Sequence, residues 1–176
     1  MAGSSTARFY FDLASPTAYL AAERVNHVMG EVPEWVPVRF DLSFRCAEEI
    51  AAYREDIERA ARAQGVQPVV WPEPFPSDSE WAMLAATYAK QIGRAVAFSL
   101  AAFRQAFAAG RDLSERDNVL IAAAACEMHP TAVLKGAELR GTRERLETAT
   151  DRARAAGVRD VPAVLTAGGE VIEVPA

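Results

Sequence analysis

With 176 residues, the chain is long enough for one domain, or one domain carrying an insertion, and for a sizeable buried core. Its 19 Lys and Arg against 24 Asp and Glu leave a formal charge of −5 with no basic block, which argues against nucleic acid and anionic membrane as partners. No run of 18 apolar residues occurs, and the opening MAGSSTARFY lacks a charged n-region before a long apolar segment, so a soluble, cytoplasmic protein is expected. Cys46 and Cys126 form no CxxC and read as ordinary small apolar residues of a reducing compartment. No metal site is expected.

Phe9, Tyr10 and Phe11 have strand character, and the chain then turns into a helix through Ala14-Ser15-Pro16-Thr17. Ser15 is a preferred N-cap and Pro16 a preferred first helical residue. Tyr19, Leu20, Val25 and Val28 recur at helical spacing over 16–29, closed by Gly30. Residues 35–42, WVPVRFDL, read as a second strand whose Pro37 points to an edge or a strand start.

From 44 to 156 the pattern is helical. Ile50, Tyr53, Ile57 and Ala61 line one face of 45–64, with Glu55/Arg59 and Glu58/Arg62 as supporting pairs. Four prolines within VQPVVWPEPFP make 66–76 a stiff, extended loop. Ser77-x-x-Glu80 offers a capping box for a helix to about Gly93, and Val96, Leu100, Phe103 and Phe107 form one stripe of a helix over 94–109. Ser114-x-x-Asp117 opens a helix stopped by Pro130, and helices over 131–139 and 142–156 follow. VRDVPAVLTAGGEVIEV then reads as a hairpin, with strands at 162–167 and 170–174 about an Ala-Gly-Gly turn.

The strand-bearing ends, 1–43 and 157–176, are expected to form one four-stranded sheet, with 44–156 as an inserted helical domain. That is the order of a thioredoxin-like α/β fold with an all-helical insertion. Ser15-Pro16-Thr17-Ala18 stands where thiol-disulfide oxidoreductases carry Cys-Pro-x-Cys, and Val161-Pro162 where thioredoxin folds carry a cis-proline. Together with Tyr19-Leu20-Ala21, Asp56-Ile57-x-Arg59, Trp71-Pro72-x-Pro74-Phe75-Pro76, Phe103-Arg104-x-Ala106-Phe107 and Gly110-Arg111-Asp112-Leu113-Ser114, these residues make the chain resemble the DsbA-like superfamily. Within it, the resemblance is closest to 2-hydroxychromene-2-carboxylate isomerases and kappa-class glutathione transferases.

The resemblance implies that Ser15 is the catalytic residue, hydrogen-bonding the sulfur of a bound thiol cofactor, glutathione or another low-molecular-weight thiol. A helix N-terminus and a hydroxyl donor both stabilise a thiolate. Ser15 has no general base within reach along the chain, since His27 is twelve residues on, about 18 Å at 1.5 Å per helical residue. Ser15 can equally be a plain N-cap.

Pro16, Val161 and Pro162 are expected at the cofactor. A cis Pro162 would leave the Val161 N–H and C=O free to pair with a peptide-like ligand, whereas a trans Pro162 would merely start a strand. Asp12, Thr17 and Trp71 are expected near a small aromatic substrate, with Trp71 either walling the pocket or filling core. The family continues past its last strand into a Gly-x-Asp-Arg segment, which grips the γ-glutamyl end of glutathione, whereas this sequence stops at Glu173-Val174-Pro175-Ala176, so that grip is expected to be lost. A homodimer is one expected assembly. The competing functions are a thiol-dependent isomerase or transferase, a catalytically silent binding or scaffold protein, and a disulfide oxidoreductase, the last disfavoured because Ser15 and Ala18 replace both sulfurs.

Overall fold

The structure, a computed structural model, describes residues 6–30 and 32–174. The start of the expected 1–43 segment, residues 1–5, lies outside the described residues, as do Glu31 and the terminal Pro175-Ala176.

Strand β1 (Arg8–Phe11) leads through a tight turn into α1 (Pro16–Ala22), and a short α2 (Val25–Val28) precedes β2 (Glu34–Pro37). Six helices follow without an intervening strand among the described residues: α3 (Ala47–Ala63), α4 (Glu80–Gln91), α5 (Ala95–Phe107), α6 (Arg116–Ala125), α7 (Pro130–Glu138) and α8 (Arg140–Ala155). The hairpin of β3 (Ala163–Leu165) and β4 (Val171–Glu173) completes a four-stranded sheet of order β2-β1-β3-β4. β1 runs parallel to β2 and antiparallel to β3, with Arg8 opposite Glu34 and Tyr10 opposite Ala163. This is a thioredoxin-type α/β sheet interrupted by helices.

The strand alternation sends side chains to two cores. Phe9, Phe11 and Trp35 face the helical block, where Phe11 meets Phe103 at 5.8 Å between ring centroids and Tyr19 stacks on Phe107 at 5.7 Å. Tyr10, Val36, Val38 and Ala163 face the other way, onto Ala153 and Ala149 of α8. The helices that intervene between β2 and β3 therefore clamp the sheet from both sides, and the larger core runs without interruption from the strands into the helical block.

Several local expectations change in the folded chain. The helix expected over 16–29 breaks at Glu23 and Arg24; the Glu23 carboxylate is held by Arg104 of α5 at 2.8 Å, and Arg24 has a non-helical φ of −120°. The second strand stops at Pro37 rather than continuing to 42, because past the Val38 N–H, which still bonds the Phe11 carbonyl, the N–H groups of Arg39 and Phe40 turn to side chains. Arg39 N donates to Thr150 Oγ1 at 3.0 Å and Phe40 N to Asp12 Oδ2 at 3.2 Å.

The capping box at Ser77 does not form. Ser77 Oγ donates to the Pro74 carbonyl, while Ser79, the actual N-cap of α4, donates to Asp12. Ser114 likewise bonds Asp112, leaving Glu115 as the N-cap of α6. The Glu55/Arg59 and Glu58/Arg62 pairs are replaced by Arg59 with Asp56 and by Glu58 accepting from the Trp71 indole. Gly110, which closes α5, has φ +66°, and a Cβ there would meet Val70 Cγ1 at 2.7 Å, so both conformation and space require glycine.

Candidate functional site

The Asp12–Ser15 turn is wound by a Ser15 N to Asp12 carbonyl hydrogen bond of 3.0 Å, which releases Ser15 at the mouth of α1. There its side chain caps the helix, accepting from Ala18 N at 3.1 Å. Its hydroxyl faces the carbonyl of Val161 at 3.5 Å, across 146 residues of chain. That bond is long, so the hydroxyl proton is weakly held and can turn to a better acceptor. The Val161-Pro162 peptide is cis and opens β3. Ser15, Val161 and Pro162 thus meet, and together with Thr17 they line a cavity of about 490 Å³. Pro16 is the buried first residue of α1 beneath them.

Two features of this cavity escaped the sequence. Tyr53 of α3 enters it, its hydroxyl 2.8 Å from Thr17 Oγ1 and its ring stacked on Phe75 and tilted against Phe44. Burial pushes the Tyr53 phenol above its ordinary value, against the opposing hydrogen bond from Thr17, so it is a neutral hydroxyl at physiological pH. The helical spacing of Ile50, Tyr53 and Ile57 was legible, but only the packing of α3 against α1 reveals that Tyr53 reaches the site.

The second feature is a correction. The Val161 N–H, expected to be free for a ligand, donates to the Asp160 carboxylate at 2.7 Å. Asp160 is followed by a buried Val161 and is itself exposed, so the carboxylate folds back over its neighbour's amide. Asp41 and Glu173 also line the cavity, and no Lys, Arg or His does among the described residues. The cavity is therefore electronegative.

Asp12 is placed elsewhere than expected, and of the two readings of Trp71, pocket wall or core, the structure gives the core. Trp71 lies outside the Ser15 cavity: it packs edge-on against Phe75 at 4.7 Å and against Phe107, its indole N–H donates to Glu58 at 2.8 Å, and the Arg54 guanidinium covers its ring. It braces the aromatic wall behind Tyr53. Asp12 is 1% exposed, and its oxygens accept from Ala14 N (3.0 Å), Ser79 Oγ (2.7 Å) and Phe40 N (3.2 Å), with Arg39 at 3.7 Å. Fully engaged, it is a brace joining β1, the 39–40 segment and the start of α4, rather than a group for substrate.

No group of His, Cys, Asp and Glu among the described residues could hold a metal ion. Both cysteines are free thiols, Cys46 exposed and Cys126 half-buried, the latter with its thiol pushed up by burial.

A thioredoxin-type sheet, a helical block between its halves, and a cis-proline facing the mouth of α1 define a DsbA-like architecture. The chain belongs to the DSBA-like thioredoxin domain family, whose pattern matches residues 6–175. No curated protein matches it by sequence. Among solved structures it is similar to 2-hydroxychromene-2-carboxylate isomerase, at 19% identity and a TM-score of 0.83, covering 95% of this chain and 87% of that one. It is also similar to a probable DsbA oxidoreductase from Streptomyces coelicolor (17% identity, TM-score 0.75, 95% and 82% covered). A third is the cytosolic disulfide reductase DsbM from Pseudomonas aeruginosa (14%, TM-score 0.70, 95% and 87%). At these identities the likeness is one of fold. Among the described residues no helix is long and apolar enough to cross a membrane.

The burial of Asp12 has a measurable consequence. Desolvation raises its carboxyl above the ordinary value despite the bonds from Ala14, Ser79 and Phe40 and the nearby Arg39. The folded chain then keeps a proton that the unfolded chain has lost, in the window from the unfolded value of about 3.9 up to the raised native one. Asp12 thus contributes more to stability below that window than above it, and its contribution falls as pH rises through it. Asp12→Asn, which does not titrate, should lack this fall. In urea unfolding at a series of pH values, the stability difference between parent and variant should shift in the variant's favour as pH rises. Parallel curves would mean that Asp12 titrates alike in both states.

Proposed function

We propose that the protein is a thiol-cofactor-dependent isomerase or transferase acting on a small aromatic-derived substrate, with Ser15 as the residue that holds the cofactor's sulfur. The observation that carries this reading is the Ser15 hydroxyl, poised by α1 and weakly engaged by Val161, in a position where the family's redox members carry sulfur. The two similar oxidoreductases and the similar isomerase share the fold, and this chain holds Ser15 and Ala18 in place of a thiol pair, which favours the isomerase-like branch.

A small thiol fits the cavity: about 490 Å³ of space is flanked by a hydroxyl donor and by the Val161 carbonyl as an acceptor. A bound thiol would supply a nucleophilic sulfur for reversible addition to a conjugated carbon of the substrate, the chemistry that permits bond rotation or ring opening with the thiol regenerated. Ser15 turns its proton toward the sulfur and lowers its pKa. The N-terminus of α1 adds to the same effect. Tyr53, neutral and tethered to Thr17, offers a second hydroxyl to a substrate oxygen across the cavity.

The carboxylates discriminate among thiols. Glutathione carries two carboxylates and one ammonium, and ionising its sulfur adds a further negative charge. Asp41, Asp160 and Glu173 oppose that charge, so a thiol of smaller negative charge suits the cavity better. Free cysteines accord with a reducing cytoplasm as the place of action.

The occupied Val161 N–H supports a second reading, a ligand-binding protein that keeps the fold without catalysis. The experiment that separates them is a pH titration of thiolate absorbance for glutathione and for cysteamine on the parent protein and on Ser15→Ala. A hydrogen bond to a charged acceptor contributes about 1.5–3 kcal/mol, and about 1.4 kcal/mol is one pKa unit, so the variant should raise the bound thiol's pKa by about one to two units. An unchanged pKa makes Ser15 only a cap, and no binding to the parent leaves the non-catalytic reading. Asp160→Ala removes a carboxylate and frees the Val161 N–H. It should tighten glutathione binding more than cysteamine binding, and equal or weaker affinities would show that Asp160 neither blocks nor repels.

A further inference from the structure

A second and larger cavity, about 880 Å³, opens on the sheet face opposite α1, bounded by the β1–β2 edge, the last turns of α4 and the outer face of α8. It shares no lining residue with the Ser15 cavity. Its volume falls within the range of pockets that hold small ligands, roughly 300–1,000 Å³. Tyr10, Val36 and Ala149, which pack together as part of the smaller core, give it an apolar floor.

Its charge runs against that of the molecule. The chain as a whole carries −5, yet this cavity is lined by four cations, Arg8, Lys90, Arg145 and Arg152, and two carboxylates, Glu34 and Glu144. Neither carboxylate is available to the two α8 arginines. Glu34 is bound by both Arg8 (3.0 Å) and Lys90 (2.6 Å), which hold its carboxyl below the ordinary range, and Glu144 is bound by Arg140 at 2.6 Å.

The Arg145 side chain donates only to the Gly141 carbonyl, at 3.0 Å, and the Arg152 side chain has no hydrogen bond or ion pair among the described residues. The two arginines are seven residues apart, so they project from one face of α8 about 10 Å from each other along its axis. Two guanidinium groups without a carboxylate partner over an apolar floor are what a negatively charged arene needs: forked donors for the anion and a flat surface for the ring.

We propose that this cavity is a second binding site, for a small ligand with an aromatic body and a phosphate or carboxylate group, held by Arg145 and Arg152 over Tyr10 and Val36. Phosphate and carboxylate present the same fork-accepting oxygens, and the probes below separate them.

The test is a 1H–15N NMR titration of the full chain with 1-naphthyl phosphate, 1-naphthoate and inorganic phosphate. Expected is saturable binding of at least one naphthyl probe, tighter than inorganic phosphate, with shifts at Tyr10, Thr148, Ala149 and Arg152 and none at Ser15 or Thr17. The stronger naphthyl probe identifies the preferred anion. Arg145→Glu and Arg152→Glu should each weaken that probe by about tenfold. Lys135→Glu, the same change of charge at an exposed position of α7 outside the cavity, should leave it unchanged.

The variants change exposed side chains, and their spectra report directly that the fold persists. Absence of saturable shifts at millimolar probe, shifts centred on Ser15, or equal weakening by Lys135→Glu would each overturn the proposal. None of these outcomes depends on whether a thiol binds at Ser15.

Discussion

The antiparallel pairing of β1 with β3, with Tyr10 opposite Ala163, is the constraint on which the rest of the structure depends. It brings the Asp12–Ser15 turn at the end of one strand alongside the Val161-Pro162 entry to the other, and without it Ser15 is only a helix cap. Closing a loop of this length has an entropic cost that grows slowly with chain length, and it is offset because the intervening residues are themselves folded against the sheet. Phe9, Phe11 and Trp35 are buried under the helical block on one face, and Tyr10, Val36 and Ala163 under α8 on the other. The insertion that separates the two halves of the sheet is thus also what presses them together.

Asp12 supplies the polar counterpart of that clamp. One buried carboxylate takes up the Ala14 amide, the Phe40 amide and the Ser79 hydroxyl, so the turn leading to Ser15, the segment after β2 and the start of α4 share one fixed point. Losing a partner from such a group leaves buried polar atoms unsatisfied, which costs more than the bond itself is worth. The position of Ser15 is therefore set by backbone and by Asp12, not by Ser15 alone.

Much of this was legible from local patterns. Phe9 to Phe11, the Ser15-Pro16 start, the helical stripes at Ile50 to Ala61 and at Val96 to Phe107, and the closing hairpin each announce an element through side-chain period, capping chemistry or turn residues. What the sequence did not disclose depends on partners distant in the chain. The strand expected to reach 42 ends at Pro37 because Thr150, more than a hundred residues on, and Asp12 take its amides. α4 starts at Ser79 rather than from the Ser77 capping box, and the Ser79 hydroxyl goes to Asp12, while Tyr53 becomes part of the site because α3 packs on α1. Asp160 is the exception, since it closes on the very next amide. An Asx residue before a strand-entry proline is a local signal that could have been read.

The Ser15 cavity and the basic groove along α8 differ in sign as well as position: one is ringed by carboxylates, the other by guanidinium groups. A chain of net charge −5 that segregates charge in this way presents two surfaces of opposite sign. The central claim concerns the first of these surfaces, and a crystal structure of the protein grown with cysteamine tests it most directly. The account predicts electron density for the thiol in the Ser15 cavity, its sulfur within hydrogen-bonding distance of Ser15 Oγ and on the side facing Val161. Thiol density elsewhere, or bound in the cavity with its sulfur turned away from Ser15, would contradict it.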